Sequence, residues 1–198
     1  DWNQKTFGGL IVAQASLYKA ATGRPVAIFD ADLSNMRGTN ELYYWLLCME
    51  SSHRWEGKGS AREPELMAQA QSRTDRAARI LAAIALRESS RGDGVASEGI
   101  RNGGDELRIV AFGFPEDKIK AQETVEKIHT ASEIATARMG LHDPPHAKPP
   151  YENDPNRNGF GNAVGWFWLP TDDINFAEGA HQAEAETDNA KIDLGKAR

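Results

Sequence analysis

Residues 99–112 read GIRNGGDELRIVAF, and no other stretch of the chain restricts the fold so tightly. Gly99 to Asn102 and Leu107 to Phe112 are strand-like, and the second run is strongly apolar. Between them Gly103 and Gly104 allow a tight turn, giving strand, turn, strand. The glycines tolerate positive φ and leave room for a ligand to approach the backbone. A two-stranded ribbon is only marginally stable alone, so the hairpin calls for further strands and something packed on them. Pro25-Val26-Ala27-Ile28-Phe29 is a short apolar run ending in acid, and it reads as a buried strand. Residues 163–169, AVGWFWL, supply another.

The segments between these strands carry helical spacing. Residues 8–21 are expected to be helical, with Thr22-Gly23 as the stop. Asn40 to Met49, Glu65 to Leu86, Pro115 to Met139 and Ile174 to Leu194 complete the set. In the second of these the apolar stripe is Leu66, Ala70, Ala77, Ile80, Leu81 and Ile84. The order α-β-α-α-β-β-α-β-α, without internal repeats, predicts an α+β domain with helices packed on one face of a sheet. Two polar, Gly- or Pro-rich stretches, near 50–64 and 141–161, read as long loops or insertions within a single domain spanning 1–198.

A length of 198 residues suits one domain, and 40% apolar with 26% charged residues is ordinary for a globular chain. No run approaches the roughly 20 apolar residues of a bilayer span, and no signal-peptide pattern is visible, so a cytoplasmic setting is expected. A net charge of −6 argues against sequence-independent binding along a nucleic-acid backbone. Cys48 is the only cysteine, which excludes an intrachain disulfide; its large apolar neighbours make it a core thiol. Trp166 and Trp168 alternate along a strand and are expected in core or partner packing. His142 and His146 read as solvated loop residues.

Two acidic features carry the chemistry. Asp30-Ala31-Asp32 follows the first strand, and Asp105-Glu106 follows the two glycines. The first pair is expected to divide, one carboxylate reaching the site and the other facing elsewhere. If the first strand lies beside the hairpin, three or four carboxylates converge where no basic residue neutralises them. Such hard oxygen ligands favour Mg²⁺ held jointly with a nucleotide's phosphates.

In the order of these motifs the sequence resembles the GGDEF family of diguanylate cyclases. The signature turn stands here as GGDEL, and the metal-binding Asp-x-Asp as Asp30-Ala31-Asp32. Met36-Arg37-Gly38-Thr39-Asn40-Glu41 is similar to the family's Phe-Lys-x-x-Asn-Asp, and residues 183–191 to its closing Ala-Asp-x-Ala-Leu-Tyr-x-Ala-Lys helix. The resemblance implies a palm-like antiparallel sheet and a homodimer that joins two GTP into cyclic di-GMP, a signalling nucleotide. It further implies Mg²⁺ (or Mn²⁺) on Asp30, Asp105, Glu106 and the Ala31 carbonyl. Gly103 and Gly104 would border the nucleotide, and Asn40 and Asp75 would meet the guanine. Lys191 and Lys196 would neutralise the terminal phosphates.

The sequence departs from the family in places. An apolar stretch, residues 42–49, stands where the family has a Gly-His turn, and about 25 extra residues precede Thr74-Asp75. The inhibitory Arg-x-x-Asp site would fall at 94–97 and is absent, which implies no product feedback there. Asn40 also suits a helix N-cap. Besides the cyclase reading, the sequence admits a degenerate module that binds nucleotide or a protein partner, and a palm domain that prefers ATP.

Overall fold

The computed structural model describes residues 13–15, 17–34, 36–52, 61–91, 95–102, 105–141, 161–168 and 185. Helical backbone at 13–15 and 17–22 forms α1. It stops at Gly23, whose φ of 66° is open to glycine and whose amide donates to the Lys19 carbonyl at 2.8 Å. The chain then runs β1 (Val26–Ser34), α2 (Met36–Ser52), α3 (Glu63–Ser89), β2 (Ala96–Asn102), β3 (Glu106–Phe112), α4 (Lys118–Arg138) and β4 (Gly161–Trp168). This is the expected order, as far as the described residues reach. The final helix expected at 174–194 lies outside them apart from residue 185, as do 53–60 and 142–160, in or beside the two insertions.

The four strands form one antiparallel sheet in the order β2-β3-β1-β4. With two crossovers through helices, that is the split βαβ arrangement of palm-like sheets. β1 is central and pairs along most of its length with both neighbours, Ala31 facing Leu107 on β3 and Val164 on β4. Alternate residues of β1 therefore sort into two faces. Ala27, Phe29 and Ala31 join Leu107, Ile109, Ala111 and Val164 beneath Ala85 of α3 and Ala121, Val125 and Ile128 of α4. Full burial of side chains such as Phe29 and Ile128 contributes roughly 1.5–3 kcal/mol each. Phe114 joins this core edge-on to Phe29, with ring centroids 5.3 Å apart. Trp166 and Trp168 pack at its margin, as their alternation suggested.

Several boundaries differ from the sequence reading, each for a local reason. β1 does not end at the acid but continues through Asp30 and Asp32 to Ser34, because β3 pairs with it as far as Asp32 and β4 as far as Ser34. α2 begins at Met36, which puts Asn40 inside the helix and excludes the N-cap role. α4 begins at Lys118 rather than Pro115, since the Asp117 side chain accepts from the Ile119 amide at 2.9 Å and caps it. On α3, Ile80 is 39% exposed, while Thr74, Ala78 and Ala85 complete the buried face. Thr74 satisfies its hydroxyl on the Ala70 carbonyl at 3.1 Å, which is how a polar residue sits in an apolar stripe.

Nor are the helices confined to one face. Tyr18 of α1 packs tilted against Phe112, with ring centroids 5.5 Å apart, and the Phe112 side chain alternates away from the Ala111 side. Gly113 follows, with φ 73°, and a Cβ there would collide with the Tyr18 hydroxyl. Asn162 of β4 ties both covering helices to the sheet. Its Nδ2 donates to the Leu81 carbonyl of α3 at 3.2 Å and to Ser132 Oγ of α4 at 2.8 Å. Cys48 is buried among Tyr44, Leu47, Leu66 and Ala70, as a core thiol should be.

His129 on α4 yields a pH prediction. Burial pushes its pKa below the ordinary value, with Glu133 and Glu126 pulling weakly the other way. The folded protein holds the ring neutral where the unfolded chain already takes up a proton. That contribution is complete above the ordinary histidine pKa of about 6.5 and is lost as pH falls through the lower folded value. Urea titrations from pH 7 to pH 5 should show a smaller loss of stability for His129→Gln than for the unsubstituted chain. A second expectation concerns Gly113→Ala, which should lower stability by about 1–3 kcal/mol by thermal unfolding, through positive φ and the Tyr18 clash.

Candidate functional site

The acidic residues gather where β1 and β3 run side by side. The Leu33 amide donates to the Asp105 carbonyl at 2.8 Å, which sets the hydrogen-bonding phase of this ladder. By alternation, Ala31 exchanges backbone bonds with Leu107, whereas Asp30 faces Arg108 and Asp32 faces Glu106 in the narrow, non-hydrogen-bonded pairs. In such pairs the Cα atoms approach to about 4.5 Å and the side chains lie closest. Asp30, Asp32, Glu106 and Arg108 thus share one face of two adjacent strands. The expected division of Asp30 from Asp32 does not occur, because residues two apart on a continuous strand point the same way.

The other side of β1 is small. Asp30 faces Gly165 and Asp32 faces Ala163 on β4, so no bulky register partner stands there. Glycine inside a strand commonly marks a place where a ligand or another backbone comes close.

The expectation that no basic residue neutralises the acids is overturned. Arg108 Nε lies 3.6 Å from Asp30 Oδ1, and both side chains are almost fully buried, at 9% and 7% exposure. At that separation the pair is an ion pair rather than a hydrogen bond. Its signal was in the sequence: Arg108 follows Glu106 by two residues, so on a strand it must share the acidic face.

The remaining candidates fall in two groups. Asn40 is half-buried on α2 and lies 3.5 Å from the Thr74 hydroxyl of α3, which puts it beside the chain position of Asp75. Asp75 accepts from Gln71 Nε2 at 3.2 Å. The two expected base contacts therefore belong to one helix pair, which opens directly after β1. Asp105 is exposed at the start of β3. Gly103, Gly104, Lys191 and Lys196 lie outside the described residues.

The donor set suits a hard cation in a particular way. Among the described residues no three His, Cys, Asp or Glu side chains converge into a cage. Mg²⁺, however, is usually held by one or two carboxylates together with substrate phosphates and water. Carboxylates side by side on one strand face, with small residues beyond them, fit that mode. The Ala31 carbonyl, engaged in the ladder with Leu107, retains one lone pair for such an ion.

No family model matches the sequence, and a search of curated proteins gives no match. Solved structures do match. The chain is similar to the GGDEF domain of DgcB from Caulobacter crescentus, a structure in complex with c-di-GMP, with TM-score 0.57 and 13% identity over 96% of this chain and 85% of that one. A sensory box/GGDEF family protein from Caulobacter crescentus gives 0.54 and 16% over 96% and 93%. The GGDEF domain of YfiN (TpbB) from Pseudomonas aeruginosa gives 0.52 and 13% over 96% and 90%. The fold is that of a GGDEF domain. No described helix is long and apolar enough to cross a membrane.

Within this GGDEF fold the Asp30–Arg108 pair should behave as a buried unit. Removing one partner of a buried ion pair typically costs about 3–5 kcal/mol. Chemical denaturation of Asp30→Asn, Arg108→Met and the double variant should show each single change to be the worse. The double change should recover most of the loss.

Proposed function

We propose that this chain is a nucleotidyl cyclase domain that condenses two GTP, or a related pair of nucleoside triphosphates, into a cyclic dinucleotide. The observation that supports this reading most is the alignment of Asp30, Asp32 and Glu106 on one face of β1 and β3 in a GGDEF fold.

In this reading Asp30, Asp105 and Glu106 hold the cation, with the Ala31 carbonyl assisting. When bound, Mg²⁺ or Mn²⁺ supplies Lewis acidity at the α-phosphate and lowers the pKa of the attacking 3′-hydroxyl. Gly103 and Gly104 leave space for the nucleotide at the hairpin end. Asn40 and Asp75 offer an amide and a carboxylate to a base edge, and that combination suits the donors of guanine. Lys191 and Lys196 neutralise the terminal phosphates. The contribution of these groups is positioning and electrostatics. Two nucleotides must meet head to tail to be joined twice, so the active form is a homodimer with one GTP in each protomer. GTP as substrate places the reaction in the cytoplasm.

The test is incubation with Mg²⁺ and GTP, ATP or both, with products read by mass spectrometry. A cyclic dinucleotide is expected, reduced at least about 100-fold by Asp105→Ala. A folded, dimeric sample that turns over none of the mixtures contradicts the reading.

A further inference from the structure

We propose that Arg108 is a positioning residue that competes with the divalent cation for Asp30. The guanidinium then holds the carboxylate until metal and nucleotide arrive together. This inference rests on the cyclase reading above and adds a control to the same site.

The geometry behind it is specific. Arg108 stands opposite Asp30 in a narrow cross-strand pair, with Nε 3.6 Å from Oδ1. Both groups are withdrawn from water, where an ion pair is screened far less than at the surface. A cation that uses Asp30 must therefore displace a charge already there. Asp32 and Glu106 lie on the same strand face, one register pair further along. A phosphate entering with the metal offers the displaced guanidinium a partner, because a guanidinium donates to phosphate oxygens in the same forked geometry as to a carboxylate. Metal and phosphate then become mutually dependent: the ion releases Arg108 from Asp30, and the phosphate receives it. If the pair is closed in nine molecules of ten, the apparent Kd of the metal rises about tenfold.

Mn²⁺ is the probe, followed by electron paramagnetic resonance with and without a non-hydrolysable GTP analogue. For Arg108→Met, which keeps bulk and removes charge, Mn²⁺ should bind without nucleotide at least about tenfold more tightly than to the unsubstituted protein. That gain should vanish in the Asp30→Asn, Arg108→Met double variant. Arg108→Lys, which keeps the charge, should stay near the unsubstituted affinity. In the unsubstituted protein, saturating Mg²⁺ with analogue should shift the Arg108 Nε–H resonance with the same midpoint as metal binding, a readout that needs no variant to fold. Equal Mn²⁺ affinities with and without Arg108, or an unmoved resonance at saturation, overturn the competition while leaving the cyclase reading to its product assay. Failure of every variant to bind Mn²⁺ in either arm overturns both.

Discussion

The structure depends on the register between β1 and β3. β1 is the central strand, and every side chain that matters is assigned to a face by which residue it meets across the ladder. In the observed register Phe29 meets Ile109 and Ala31 meets Leu107 under the helices, while Asp30 meets Arg108 and Asp32 meets Glu106 on the other face. A slip of β1 by one residue would turn Asp30 and Asp32 into the apolar core beneath α3 and α4. The cost of burying them unpaired makes the register steep. The apolar core and the acidic face are two consequences of one alignment.

What holds that alignment is packing on the apolar side and polar ties at the edges. Ala85, Ala121, Val125 and Ile128 bring α3 and α4 down onto the sheet, and small alanines let the helix backbones come close. Asn162 then fixes both helices to β4 through buried hydrogen bonds, which carry geometric information that apolar contacts do not. A second apolar cluster, with Leu33, Leu42, Ala77 and Leu81, docks α2 on α3. Asn40 is brought beside Thr74 by that docking.

Much of this was legible in the chain itself. The GGDE turn between two strand-like runs announced a hairpin, and the register puts Asn102 opposite Glu106 around it. Gly23 ended α1 as expected. The errors share a cause: single-strand reading cannot see what lies alongside. β1 looked finished at Asp30 because its apolar run ends there. It continues because β3 and β4 supply hydrogen bonds through the acidic residues. Asn40 looked like a cap because helix formers cluster after it, yet tertiary packing recruited four residues before it into α2. Ile80 kept helical spacing but fell outside the face that α2 and the sheet cover.

By itself, then, the sequence determined the order of the described strands and helices, the pairing of β2 with β3 and the presence of an acid-rich strand end, because local spacing and glycine chemistry suffice for these. Tertiary structure alone decided that Asp30 and Asp32 share a face with Glu106, and that Arg108 stands against Asp30 there. Those facts rest on pairing between residues some 75 positions apart, a separation at which only the closed sheet, and not any local pattern, chooses the partner.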